Sequence, residues 1–113
     1  MNFDVLFASV PVADLPRAVD WYEKLFGRAP DVVPNEQEVM WHVAEAGWLY
    51  VVAEPERAGQ TLVSVCVADL DRAITELEDR GIAIASNETV PGAGRKAWLR
   101  DPDGNAVAVM EVL

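Results

Sequence analysis

Histidine and cysteine each occur once, as His42 and Cys66, and 9 basic residues face 19 acidic ones. A single cysteine excludes an intrachain disulfide and a cysteine-based zinc site. A single histidine can give at most one imidazole to a metal. The formal net charge of −10 argues against nucleic acid, whose phosphates require Lys and Arg, and against an anionic membrane surface. It does not argue against a cationic small molecule, which an acidic protein attracts. No run approaches the length of apolar sequence that crosses a bilayer. No basic segment followed by an apolar one opens the chain, so the expected location is the cytoplasm.

What remains is 113 residues, 51% hydrophobic and 25% charged, which suits one domain spanning 1–113 with a single core. Internal repetition organises it. Residues 9–18 read SVPVADLPRA and residues 64–73 read SVCVADLDRA, eight identities in ten at an offset of 55. That offset is close to half the chain, so the sequence divides into a module over 1–56 and a second over 57–113. The first module carries ten acids and three bases, the second nine and six.

Each copy opens with a β-rich apolar run, Phe3 to Val12 or Thr61 to Val67. Asp14 or Asp69 then suits a helix N-cap. Pro16 falls in the first turn, where its missing N–H costs little. Leu15, Ala18, Val19, Tyr22 and Phe26 follow at helical spacing, as do Leu70, Ala73, Ile74 and Leu77. Gly27 and Gly81 stand where a left-handed cap is wanted. Three strands are expected after each helix: 28–33, 38–44 and 48–53, then 82–85, 95–100 and 106–112. Asp101-Pro102-Asp103-Gly104-Asn105 reads as a tight turn. The unit is therefore βαβββ, used twice, with Glu54 to Gln60 as the linker.

A tandem βαβββ repeat carrying VADLPRAVDWYEKLFG at 12–27 and WLRDPDGN at 98–105 resembles the vicinal oxygen chelate superfamily. That superfamily includes glyoxalase I, extradiol dioxygenases and the fosfomycin and bleomycin resistance proteins. The resemblance covers essentially the whole chain. It implies an α+β fold: a curved mixed sheet around a concave cleft, with the helices outside. It also implies a homodimer, often with a cleft shared by the two chains. Metal-dependent relatives place His or Gln seven residues before each capping Asp. They place Glu three residues after the Asn of DPDGN, and an equivalent carboxylate in the other module. Here those positions hold Phe7, Leu62, Ala108 and, less firmly aligned, Tyr50. None is a credible nitrogen or carboxylate ligand, so neither a metal nor another cofactor is expected.

Without ligands, the expected cleft becomes aromatic. Period-2 alternation puts Phe7 with Val5 and Ser9, and Tyr50 with Trp48 and Val52. It likewise puts Leu62 with Ser64 and Cys66, and Ala108 with Ala106 and Met110. Trp41 and Trp98 lie on the adjoining hairpin strands. The candidate ligand-binding residues are Phe7, Trp41, Trp48, Tyr50 and Trp98, with Arg95 at the rim of a glycine-bearing 86–96 loop that suits a lid. The same aromatics also suit plain core packing or a dimer contact, and Trp21 and Tyr22 read most simply that way. Cys66 is expected as a small buried hydrophobe. The leading function is metal-independent sequestration of a hydrophobic or aromatic small molecule, such as an antibiotic, with cationic ligands admitted by the acidic surface. One alternative is a glyoxalase- or dioxygenase-like enzyme using atypical residues such as His42, Glu45 or Glu111, or Arg95 without metal. A regulatory or interaction domain with an aromatic dimer face is the other.

Overall fold

A computed structural model describes residues 1–112. The first half forms β1 (Leu6–Val12), α1 (Leu15–Phe26), β2 (Val32–Asn35), β3 (Glu38–Ala44) and β4 (Gly47–Ala53). A 3-10 turn at Pro55–Arg57 leads to β5 (Leu62–Cys66), α2 (Leu70–Asp79), β6 (Ser86–Val90), β7 (Gly94–Arg100) and β8 (Ala106–Val112). The fold is α+β, with two mixed four-stranded sheets ordered β1-β4-β3-β2 and β5-β8-β7-β6. In each sheet the opening strand pairs in parallel with the closing one, and the other ladders are antiparallel.

The repeated aspartates act locally as their position suggests. Asp14 and Asp69 are extended N-caps whose carboxylates accept from the Arg17 and Arg72 backbone N–H groups at 3.2 and 3.1 Å. Each satisfies a donor that the first helical turn leaves free. Gly27 closes α1 in the left-handed region at φ 72°, a conformation that costs glycine little.

The helices cover one face of each sheet, and alternation along the strands decides which side chains they bury. Val10, Val12, Val39, Trp41, Leu49 and Val51 form one core cluster with Ala18, Tyr22 and Leu25 of α1. Val107, Val109, Ala97 and Leu99 join it from the second sheet, with Leu70 and Leu77 of α2.

The opening strand begins at Leu6 rather than Phe3, and two further strands lie away from their expected positions. The second strand begins at Val32, because Arg28 to Asp31 form a bridge instead. Arg28 donates to Asp31 Oδ2 at 3.0 Å and to the His42 carbonyl at 2.6 Å, and Asp31 also accepts from the His42 backbone N–H at 2.7 Å. These hydrogen bonds, the guanidinium first, hold the Asp31 carboxyl below the usual range. The sixth strand is Ser86–Val90 rather than 82–85. Ile82 is buried in the core, and pairing starts where Ser86 meets Trp98. The expected 86–96 lid is thus largely a strand, a turn and the start of β7.

The β7–β8 turn joins the two halves through a buried polar network. Asp101 and Asn105 are only 4% and 0% exposed. The Tyr22 hydroxyl donates to Asp101 Oδ2 at 2.8 Å, as does Asn105 Nδ2, also at 2.8 Å. Asp101 Oδ1 accepts the Asp103 and Asn105 backbone N–H groups, both at 2.9 Å. Asn105 Nδ2 also donates to the Pro11 carbonyl at 2.9 Å, and its Oδ1 accepts from Thr61 N–H at 3.0 Å. Satisfied networks of this kind are costly to break.

Burial, reinforced by Asp101, raises the Tyr22 phenol well above its ordinary value of 10.0. In the unfolded chain this phenol ionises near its ordinary value. Its contribution to stability is therefore full below pH 10.0 and is lost as pH rises beyond it. Thermal melts on either side of that pH should show the alkaline loss in the parent protein and a shallower one in Tyr22→Phe. Equal slopes would show that the network does not suppress ionisation.

Candidate functional site

The sheet faces turned away from the helices carry the candidate site. On the first sheet, Phe7 pairs with Trp48 and Ser9 with Tyr50 across the parallel ladder. His42 and Met40 pair with the same two aromatics from β3. These side chains therefore share the open face. Phe7 is 49% exposed, and Trp48 and Tyr50 are half-buried. The Phe7 ring lies 6.1 Å from Trp48, nearly parallel to it, and 6.3 Å from Tyr50, edge-on. His42 stacks on Trp48 at 4.6 Å. Its Nε2 lies 3.0 Å from the Glu45 carbonyl oxygen; a carbonyl only accepts, so that nitrogen carries the proton. The result is an aromatic shelf with a polar edge, which offers stacking area to a flat apolar group.

On the second sheet, the open face holds Leu62, Ser64 and Cys66 from β5, with Ala106, Ala108 and Met110 beside them. Trp98 pairs with Ala108, and Lys96 with Met110. The Trp98 indole donates to Glu88 Oε1 at 3.0 Å, and the Lys96 ammonium lies 5.4 Å from its ring centre. Ala108 is fully buried yet stands outside the main core cluster.

Three of the six expected binding residues, Phe7, Trp48 and Tyr50, come together. Trp98 lies on the open face of the other sheet. Trp41 does not belong to the site. It pairs with Leu49 and so projects to the helix side, where it is 0% exposed between Tyr22 and Phe26. Its indole donates to the Arg28 carbonyl at 3.1 Å. Arg95 does not belong either. It shares the helix-side alternation of Ala97 and Leu99, and ion-pairs with Asp71 of α2 at 3.0 Å. Glu111 lies on that side too, accepting the Leu70 backbone N–H at 2.9 Å, which separates it from His42 and Glu45. Cys66 is exposed rather than buried, because β5 is an edge strand. His42 is the neighbour that sequence reasoning left out of the shelf; only the register of β3 against β4 brings it to Trp48.

The sequence profile of the Glyoxalase/Bleomycin resistance protein/Dioxygenase superfamily matches residues 5–109. The chain belongs to this superfamily. The glyoxalase/bleomycin resistance protein from Catenulispora acidiphila is 38% identical, covers 96% of this chain and 98% of its own, and superposes with a TM-score of 0.90. TnmS3, an antibiotic binding protein from Streptomyces sp. CB03234, is 26% identical over 96% of this chain and 95% of its own, with a TM-score of 0.76. Lactoylglutathione lyase from Agrobacterium tumefaciens, at 21% identity over 95% of this chain and 92% of its own, shares the fold with a TM-score of 0.78. No curated protein matches the chain.

Glyoxalase-superfamily membership makes a metal at the open face worth testing against the donors present. Phe7 and Tyr50 on one sheet, and Leu62 and Ala108 on the other, supply no imidazole or carboxylate. Among the described residues no three His, Cys, Asp or Glu side chains gather into a metal-binding group. The donor set does not fit the divalent ions that nitrogen and oxygen sites hold.

Proposed function

We propose that this superfamily member binds and sequesters a hydrophobic or aromatic small molecule, such as an antibiotic, without metal chemistry. The observation that carries the reading is the open-face shelf of Phe7, Trp48 and Tyr50, in which Phe7 and Tyr50 stand where metal-dependent relatives need ligands. An exposed cluster of large apolar side chains marks a binding surface, and aromatic walls with a few polar tips suit a planar ligand. The antibiotic binding activity of TnmS3 supports the same class, and the net charge of −10 favours a cationic member of it. The proposal includes a homodimer and a cytoplasmic location. Among the described residues, no helix is long and apolar enough to cross a membrane.

A panel of planar aromatic compounds, cationic and neutral, tests the binding reading through tryptophan emission and melting temperature. Binding at a hundredfold excess over Kd stabilises the native state by about 2.7 kcal/mol, or roughly 10–15 °C for a chain of this size. Emission from Trp48 should be quenched in step, and Trp48→Phe should remove that response while Trp41 still reports the core. A panel that moves neither quantity overturns the proposal. Sedimentation velocity should give twice the 12.4 kDa chain mass; a monomer at all concentrations would remove the dimer from the reading.

A further inference from the structure

The two modules repeat at an offset of 55, yet their junctions differ. In the first, Val10, Pro11, Val12, Ala18, Tyr22 and Leu25 are all buried. The β7–β8 turn plugs this junction, with Asp101 holding the Tyr22 hydroxyl and Asn105 capping the Pro11 carbonyl. At the same offset the second module has Val65, Cys66, Val67, Ala73, Leu77 and Arg80. These six line an open groove of about 250 Å³, walled opposite by Leu25, Phe26 and Val43. The β3–β4 turn that would correspond to the plug is only Glu45-Ala46, with no Asp–Asn pair. Leu77 stands where Tyr22 stands, and Cys66 where Pro11 does.

The unplugged junction has its own polar features. Ala106 N–H donates to the Thr61 carbonyl, and Val67 N–H to the Met110 carbonyl, each at 2.8 Å. The odd-numbered residues of β5 thus bond to β8, which turns the Cys66 N–H and C=O toward the free edge. Arg80 is held at the groove by donating to the Lys24 and Leu25 carbonyls at the end of α1. Among the described residues it forms no ion pair. The groove therefore combines largely apolar walls with a fixed guanidinium that no carboxylate pairs; Arg28 and Glu76, also in its lining, are engaged by Asp31 and Arg72. Its volume exceeds the roughly 150 Å³ that accepts benzene and falls below the ~300 Å³ at which drug-sized sites begin.

From this asymmetry we infer that the second junction is a binding site for a small carboxylate with a single-ring or short-chain apolar body. The carboxylate sits at Arg80 and the body lies among Leu25, Phe26, Val43 and Leu77. Guanidinium–carboxylate geometry supplies the recognition. The site is separate from the aromatic shelf and does not rest on the function proposed for it.

Benzoate and benzamide, titrated into the ¹⁵N-labelled full chain, test the inference. Benzoate should give saturable amide shifts at Cys66, Val67, Ala73 and Leu77 and leave the Trp48 and Trp98 indoles unmoved. Benzamide, lacking the charge, should bind at least about tenfold more weakly. Ala73→Leu, which puts bulk into the groove from a helical position, should weaken benzoate about tenfold. Absence of saturable shifts with benzoate, equal affinity for benzamide, or shifts confined to the two indoles would each overturn the site. The wild-type comparison decides the matter by itself if Ala73→Leu fails to fold.

Discussion

Asp101→Ala is expected to cost about 3–5 kcal/mol of stability, as several buried donors lose their acceptor at about 1–3 kcal/mol each, and to lower the melting midpoint by on the order of 15–25 °C. The carboxylate is buried and accepts four donors: the Tyr22 hydroxyl, Asn105 Nδ2 and the backbone N–H groups of Asp103 and Asn105. Alanine removes every one of those acceptor sites. The Tyr22 hydroxyl is then left buried, because its ring is packed under α1, and an orphaned buried donor carries its full desolvation cost. The turn also loses the two backbone bonds that shape it, and with them the placement of Asn105 against Pro11. Tyr22→Phe should cost only about 1 kcal/mol, since it removes one donor and leaves the carboxylate three others. The double variant should lose less than the sum of the singles, with a coupling of roughly 0.5–3 kcal/mol. Urea melts of the three variants measure this. An Asp101→Ala loss no larger than that of Tyr22→Phe would mean that apolar packing, not the carboxylate, holds the two halves together.

The repeat, the two helices with their Asp caps and the alternation of β1 and β5 were legible in the sequence because each has a strong local cause. Asp14 and Asp69 cap in the same way because each is followed by the same Leu-x-Arg-Ala, which starts an apolar helical stripe. The role of DPDGN was only half legible. Its composition announces a turn, but a turn sequence does not say that Asp101 and Asn105 point inward, because their partners Tyr22 and Pro11 lie 79 and 94 residues away. Strand β6, Ser-Asn-Glu-Thr-Val, carries almost no apolar signal, since its residues are nearly all exposed at a sheet edge. Strand β3 hid its orientation for the opposite reason. Val39, Trp41 and Val43 alternate with Met40 and His42, so neither face reads as polar, and only the register against β4 decides which tryptophan is core.

That register makes opposite predictions for tryptophans one strand apart. The combined change Phe7→Ala and Trp48→Ala is expected to weaken binding of a planar aromatic ligand about 100-fold or more, since buried aromatic contacts at an interface centre are worth roughly 2 kcal/mol or more each when truncated. Its cost to stability should be about 2 kcal/mol, below that of Trp41→Ala, because Phe7 is half exposed and Trp48 only half-buried on the open face. Trp41→Ala should behave in reverse. Its side chain is fully buried against Tyr22 and Phe26, so truncation opens a large cavity and costs about 3–5 kcal/mol. Binding, measured well below the lowered melting point, should change by less than about threefold, because no atom of Trp41 faces the ligand. Isothermal titration beside thermal melts separates the two quantities. If Trp41→Ala abolishes binding in protein that is still folded, or the Phe7/Trp48 change leaves affinity intact, the shelf is not the binding surface. The exposed aromatics would then serve contact between copies of the chain. The two outcomes differ because one residue of register separates the face that holds the protein together from the face that meets another molecule.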